Sequence, residues 1–398
     1  MGLLAAALAV AADQAQTGFH TIAARWPLAP WVFTPAGFAL SVFLATRFFP
    51  NTQGSGIPQV IAARHLEDMN VRGGLVGLRV AIGKILLTLL GLVAGASTGR
   101  EGPTVQVGAS VMALIGRMTP RRQPGLILAG AAAGVAAAFN TPLAGIVFAI
   151  EEMSRSFEVR ASGLIIGAVI LAGLTAQALL GDYTYFGTTN AALPIGTAWM
   201  AVPLCGVAGG FSGAIFARVL VAVPNALPQR AAGWIATHPV AFAALCGLGV
   251  AACGFASDGA VYGTGYQSAR AVLHHTGSVA LDYAPLKLIA TALSSVSGIP
   301  GGIFSPSLSV GAGIGADIAR LFHHPDPGPI VLLGMVAYFT GVVRAPITGF
   351  VIVSEMSNDH SILVALMATA MIAEACARVV NREGLYHQLA KRYVPPIP

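Results

Sequence analysis

Two glutamates sit where a glutamate is costly. Glu101 follows Arg100 inside a long apolar region, and Glu152, with Glu151 before it, closes the stretch Gln123–Ile150, which holds no charge. An ionisable group within apolar sequence of this kind is functional by default. A carboxylate there can occupy an anion's position when ionised and leave it when protonated. Nearby helix N-termini favour its charged form and apolar burial its neutral form, and that competition couples proton uptake to anion movement. The plainer alternative for Glu101 is an ion pair with Arg100, but adjacent residues on a helix do not face each other. That default applies to Glu101; from spacing alone, Glu151 and Glu152 read as wetting a helix end.

Three glycine-rich segments supply the complementary chemistry: Gly54-Ser-Gly-Ile-Pro58, Gly99-Arg-Glu-Gly-Pro103 and Gly301-Gly-Ile-Phe-Ser-Pro306. Glycine admits unusual dihedrals and proline is tolerated at a helix start, so each segment reads as a break that opens a new helix. A helix N-terminus presents unpaired N–H groups and about half a positive charge. Several such ends meeting at one point make an anion site that needs no full cation, so the anion is held without being trapped. Gly54 and Gly56 give that turn its freedom, and Ser55 adds a hydroxyl donor. Any one of these segments alone is a tight interhelical turn; three together, two of them related by a repeat, favour the site.

The elements that must position these residues are membrane helices. Charged residues are 10% of the chain and hydrophobic residues 55%, with mean hydropathy +0.74. Ordinary soluble domains carry about 25% charge, so most of this surface must face lipid. Leu28–Thr46, Gln123–Ile150, Ala161–Gly181, Ala198–Ala217, Pro239–Ala256 and Leu288–Ala316 are all free of charge, and a helix needs roughly 20 apolar residues to span. They lack the period-two alternation of barrel strands. Glycine is frequent, 48 residues of 398, which suits close helix packing in lipid and helices broken within it. The net charge of +6 is scattered and forms no nucleic-acid stripe; lipid headgroups account for it.

The chain is a duplication. Phe139–Glu151 matches Val343–Glu355, with Pro142 on Pro346 and Glu151 on Glu355; Glu101–Gly108 matches Phe304–Gly311, with Pro103 on Pro306. The offsets are 204 and 203 positions. The halves are 1–185 and 195–398, with the boundary near 182–197 read as an extramembrane loop. Ser297-Gly-Ile-Pro300 echoes Ser55-Gly-Ile-Pro58 out of that register and is not counted. Glu151 has a counterpart in Glu355 and reads as structural; Glu152 aligns with Met356 and is left for a special role. The repeat by itself does not say whether the halves are parallel or inverted.

The remaining candidates are weaker. Cys205, Cys246, Cys253 and Cys376 lack metal-ligand spacing and read as packing residues, and His323 and His324 read as an exposed loop. No metal site is expected. Gly2–Ala12 is only 11 apolar residues, too short to span, and reads as a truncated helix. The basic tail holding Tyr386, His387, Lys391 and Arg392 is cytoplasmic by the positive-inside rule. Tyr386 alone is an interfacial anchor, and His387 reads as part of that tail. A serine hydrolase using Ser55 or Ser305 would need a partnered base, and no histidine stands out as membrane-embedded.

Taken together, Gly-Ser-Gly-Ile-Pro at 54–58, Gly-Arg-Glu-Gly-Pro at 99–103, Gly-Gly-Ile-Phe-Ser-Pro at 301–306 and Leu-Tyr at 385–386 resemble the CLC family of chloride channels and proton-coupled chloride transporters, from about Gln53 to Arg392. The resemblance implies an all-α, polytopic fold of two inverted-topology repeats with broken helices, assembled as a homodimer with one anion path per subunit. It implies that Ser55 and Tyr386 donate hydroxyls, and Ile303 and Phe304 backbone amides, to a central chloride. Glu101 is then the external gate and Glu152 the internal proton-transfer acid of the exchanger branch. The implied function is H+/Cl− antiport, with a passive voltage- or pH-gated chloride channel as the alternative. Chloride and protons are the substrates, no resident cofactor or enzyme chemistry is implied, and a bacterial inner membrane is the expected location. The chain departs from the pattern at Gln59, where a Glu is common, at the N-terminus, and in having no cytoplasmic regulatory domain pair after Tyr386.

Overall fold

The computed structural model describes residues 1–119, 122–154, 162–181, 184–189, 193, 196–226, 229–274, 276–277, 279–322 and 326–394. His323 and His324 lie outside them. The first half runs α1 (Gly2–Arg25), α2 (Pro30–Arg47), α3 (Ile57–His65), α4 (Met69–Leu75), α5 (Leu78–Val93), α6 (Glu101–Gly116), α7 (Gln123–Phe139), α8 (Pro142–Phe148), a π-helical turn at Ala149–Ser154, and α9 (Ser162–Leu180). The second half runs α10 (Ala201–Ala226), α11 (Gln229–Thr237), α12 (Pro239–Ala256), α13 (Tyr266–Leu273), α14 (Tyr283–Val296), α15 (Phe304–Phe322), α16 (Gly328–Val343), α17 (Pro346–Ser357), α18 (Leu363–Val380) and α19 (Leu385–Ala390). Among the described residues there is no strand, only two isolated backbone bridges, Gly54 with Pro300 and Gly99 with Gly302.

The matched blocks Phe139–Glu151 and Val343–Glu355 are each broken, in equivalent ways. Asn140 and Arg344 end α7 and α16 in the left-handed region, with φ of 57° and 64°. An extended residue follows, and Pro142 or Pro346 then opens the next helix. Asparagine tolerates that conformation and proline suits a first helical turn. Arginine does not favour it; the Arg344 guanidinium is held there by the Glu374 carboxylate at 2.8 Å and the Asn381 carbonyl at 3.0 Å.

The N-terminal stretch corrects the sequence reading. The helix does not stop at Ala12 but continues to Arg25, and its Asp13 pairs with Arg100 at 3.0 Å. The 182–197 boundary also differs from a plain outside loop: Tyr185 and Phe186 are buried in the main core. Phe186 donates its amide to the Met356 carbonyl, 2.8 Å away.

Glu151, at the end of the first α8 unit, accepts from the amides of Ile347 and Thr348 that open α17. Glu355, at the end of α17, accepts from the amides of Leu143 and Ala144 that open α8. Each helix therefore ends where its counterpart begins, so α8 and α17 run antiparallel. Equivalent helices in opposite directions, exchanging reciprocal contacts, mean that a pseudo-two-fold axis relates the halves and inverts one against the other.

Both halves pack the same way. A Cβ on Gly108 would press into the carbonyl oxygen of Gly130 and one on Gly130 into that of Gly108; Gly311 and Gly334 stand in the same relation. Backbone thus touches backbone between α6 and α7 and between α15 and α16, as small residues permit in lipid. Outward, α9, α10, α12 and α18 expose Leu171, Ile215, Phe255 and Val379. Four segments, Met69–Val93, Ala201–Val223, Pro239–Ala256 and Leu363–Val380, are long and apolar enough to cross a membrane. The first holds Arg72, Arg79 and Lys84 and so is not among the uncharged runs.

Candidate functional site

The three glycine-rich breaks meet and are hydrogen-bonded to one another. Gly99 and Gly302 exchange both of their amide–carbonyl bonds, at 2.8 and 2.7 Å. These residues are 203 positions apart, the repeat offset, so the pseudo-two-fold axis passes between them. Gly54 donates to the Ile299 carbonyl at 3.2 Å, and Gly301 donates to that of Gly54 at 3.0 Å. Close approach explains the glycines: a Cβ on Gly301 would collide with Thr98, and one on Gly102 with Ser55. The N-termini of α6 and α15 thereby converge on one buried place, each bringing its unpaired amides and partial positive charge.

The turn before α3 is built by a residue that sequence reasoning passed over. Gly54 and Gly56 take φ of 65° and 92°, and the Ser55 hydroxyl accepts from the Ile57 amide at 3.3 Å. Fully buried Lys84 donates from Nζ to the carbonyls of Thr52 and Gly54, at 2.6 and 2.8 Å. These bonds satisfy the carbonyls of the turn and hold it against α5. In the other half, Lys287 donates to the carbonyls of Val261 and Gly263, both at 2.8 Å. Gly263-Thr-Gly265 repeats the turn, with φ of 66° and 75° at its glycines, and Thr264 accepts from Tyr266 as Ser55 does from Ile57. The true counterpart of Gly54-Ser-Gly56 is thus Gly263-Thr-Gly265; Ser297–Pro300 is instead its hydrogen-bonding neighbour. Two lysines 203 positions apart within apolar helices were the available signal. Gln59 belongs to the same turn, its amide donating to the carbonyls of Asn51 and Gln53, a role a carboxylate could not fill.

Glu101 is 0% exposed, and its carboxylate folds back over Gly99. Ser305, on α15 of the opposite half, donates to its Oε1 at 2.6 Å. With that proton committed, the Tyr185 hydroxyl is the donor to Ser305, at 3.2 Å. The other carboxyl oxygen, Oε2, is buried with no hydrogen-bond partner. Arg100 turns instead toward α1, to the Ala9 carbonyl and Asp13, so the adjacent pair is split. Tyr185 was not foreseen, because its segment reads as a loop.

Beside these breaks lies a cavity of about 210 Å³ whose lining includes Gly54, Ser55, Ile303, Tyr386 and Arg392. Four of the sequence-proposed site residues are therefore brought to one space. Phe304 packs its ring 6.0 Å from that of Tyr386, and its amide is among the first of α15. The Tyr386 hydroxyl is buried and has no hydrogen-bond partner. A buried unpaired hydroxyl costs about 1–3 kcal/mol, which an anion would relieve. Glu152 lies in the π-helical turn, 2% exposed, separate from this cavity lining. Glu151 is spent on capping α17, as the repeat suggested. His387 does not behave as free tail: its Nδ1 is 3.2 Å from Glu152 Oε1.

The chain matches the family described as voltage gated chloride channel over residues 37–378. It is 32% identical over 389 residues to the H(+)/Cl(-) exchange transporter ClcA of Yersinia pestis bv. Antiqua (strain Angola), covering 92% of this chain and 78% of that one. It is 30% identical over 385 residues to the protein of the same description from Salmonella paratyphi A (strain ATCC 9150 / SARB42), covering 92% and 79%. Among solved structures it resembles a slow cyanobacterial Cl-/H+ antiporter, with TM-score 0.84, 26% identity and coverage of 98% and 94%. A CLC-type fluoride/proton antiporter shares the fold at TM-score 0.80 and 21% identity, covering 95% and 93%.

Proposed function

The chain belongs to the voltage-gated chloride channel family, and we propose on that basis that it is a secondary active antiporter exchanging chloride for protons across a membrane. The observation that carries this is the Glu101 carboxylate, buried where three glycine breaks and two helix N-termini converge and held by Ser305 of the opposite half. A carboxylate in that position and a chloride ion compete for the same dipoles. Protonation removes its claim, the side chain swings away, and chloride takes its place; this is why one movement is tied to the other.

The chloride is held by the hydroxyls of Ser55 and Tyr386 and the opening amides of α15 at Ile303 and Phe304, with Gly54 and Gly56 shaping the approach. No lysine or arginine is among these proposed ligands, which keeps affinity low enough for turnover. Glu152 carries protons to and from the side opposite the Glu101 gate. Exchange rather than passive conduction is supported by this second buried acid and by the exchange relatives.

The lipid bilayer surrounds the chain, two copies pair with one path each, and the relatives' sources suit a bacterial inner membrane. Apolar side chains exposed along α9 and α18 offer surface for both lipid and partner. The test is simultaneous recording of chloride and pH in proteoliposomes. An imposed chloride gradient should drive protons uphill. A reversal potential indifferent to a pH gradient would instead establish a channel.

A further inference from the structure

Consecutive residues of α19 project about 100° apart, and here they serve different neighbours. Tyr386 lines the cavity with Ser55. His387 turns to Glu152, Nδ1 to Oε1 at 3.2 Å. Exposure falls along this direction: His65 on the adjoining α3 is exposed, the His387 side chain is 17% exposed and Glu152 is 2% exposed. His65 is close enough for its charge to be felt against that of His387. Histidine is the side chain whose ordinary titration range spans neutral pH.

We propose that His387 is a proton-transfer residue that relays protons between water and Glu152, so that the two ions part company at α19: chloride by Tyr386, protons by its neighbour. This rests on the antiport reading. In one step the imidazolium Nδ1–H bond breaks as an O–H bond forms on Glu152 Oε1, leaving neutral imidazole and a carboxylic acid. The ring then turns its basic Nδ1 to the aqueous side and takes a proton from hydronium or buffer acid. Return transport reverses both steps. α19 packs against α3, α10 and α16; the charged and titratable groups nearest that contact along the chain are Arg64 and His65 on α3, Arg218 on α10 and Tyr338 on α16, with Glu383, Lys391 and Arg392 around α19 itself. Arg64 donates to the Met153 carbonyl and Lys391 pairs with Glu383 at 2.6 Å, so both are engaged elsewhere while the histidine faces the acid.

The experiment uses the full chain in proteoliposomes with both ions recorded. His387→Gln and His387→Ala should leave chloride flux within about threefold while lowering proton flux about tenfold or more, less than the 10²–10⁴ of a positioned acid–base group because water partly substitutes. The proton flux of the unaltered protein should vary with pH on the tail side, and that dependence should flatten in His387→Gln. Imidazole in the same compartment should restore proton flux in His387→Ala. Unchanged coupling and pH profile in His387→Gln, or no recovery with imidazole, overturns the relay. If both variants lose chloride flux as well, nitrogen NMR of the histidines decides: the His387 ring must respond to Glu152→Gln, and indifference overturns the proposal. Failure of the antiport reading itself looks different, because the unaltered protein would then move chloride without protons.

Discussion

At the scale of single residues, function here depends on carboxylates and hydroxyls whose partners are few and unusually placed. Glu101 keeps one oxygen on Ser305 and leaves the other unpaired. Glu101→Ala should therefore still pass chloride but no longer move protons, read as proteoliposome chloride efflux with a flat pH trace; surviving coupling would remove Glu101 from the gate. Glu152→Gln keeps the shape and loses the titration, so proton movement should cease while chloride flux continues. Tyr386→Phe deletes only the unpaired hydroxyl. A hydrogen bond to a charged group is worth about 1.5–3 kcal/mol, so chloride binding measured by calorimetry should weaken roughly tenfold or more. Undiminished affinity would place the anion elsewhere. Glu101 was legible from its neighbours in the chain, since a lone acid among apolar residues is conspicuous. Tyr185 and His387 were not, because an aromatic in a polar segment and a histidine among basic residues look ordinary until the fold turns them inward.

At the scale of elements, stability depends on helix ends and on backbone contacts. Glu151 satisfies the amides of Ile347 and Thr348 and the Thr348 hydroxyl. Its partner in the repeat satisfies two amides. Glu151→Ala strands these donors at the start of α17 and should cost about 1–2 kcal/mol, by analogy with lost N-caps. The readout is the melting temperature of the detergent-solubilised protein, and Thr348→Val should produce a smaller fall. Gly108→Ala and Gly311→Ala each drive a methyl into a facing carbonyl, which only a backbone shift relieves, at about 1–3 kcal/mol. The two should be similar, because the contacts are related by the pseudo-symmetry; a tolerated alanine at either would show that the helices part more easily than drawn here. The proline-led starts of α8 and α17 were readable in sequence as matched blocks. That their glutamates cap each other crosswise was not, since capping over some 200 residues leaves no local trace.

At the scale of the molecule, an inverted duplication brings equivalent backbone to one axis, where the proposed anion place lies. Gly99 and Gly302 bond to each other as equivalents, and the helices after them point their amides inward from the two halves. Neither half can form this site alone. The symmetry is then broken where the ions must be distinguished: Glu101 has Phe304 as its counterpart, and Glu152 has Met356. One half supplies both acids, and the other supplies Ser305 to hold the gate.

The sequence by itself determined that the chain is helical and lipid-facing, that it is duplicated, and that glycine breaks and a lone acid stand within its apolar stretches. Those properties lie in composition, periodicity and spacing, which survive without coordinates. Only the tertiary structure decided that the three breaks touch, that the halves are inverted, that buried Lys84 and Lys287 tie down matching turns, and that His387 meets Glu152. Each of these is a contact between residues far apart in the chain. Such a contact is set by how packed helices cross, and nothing in the local order of side chains encodes it.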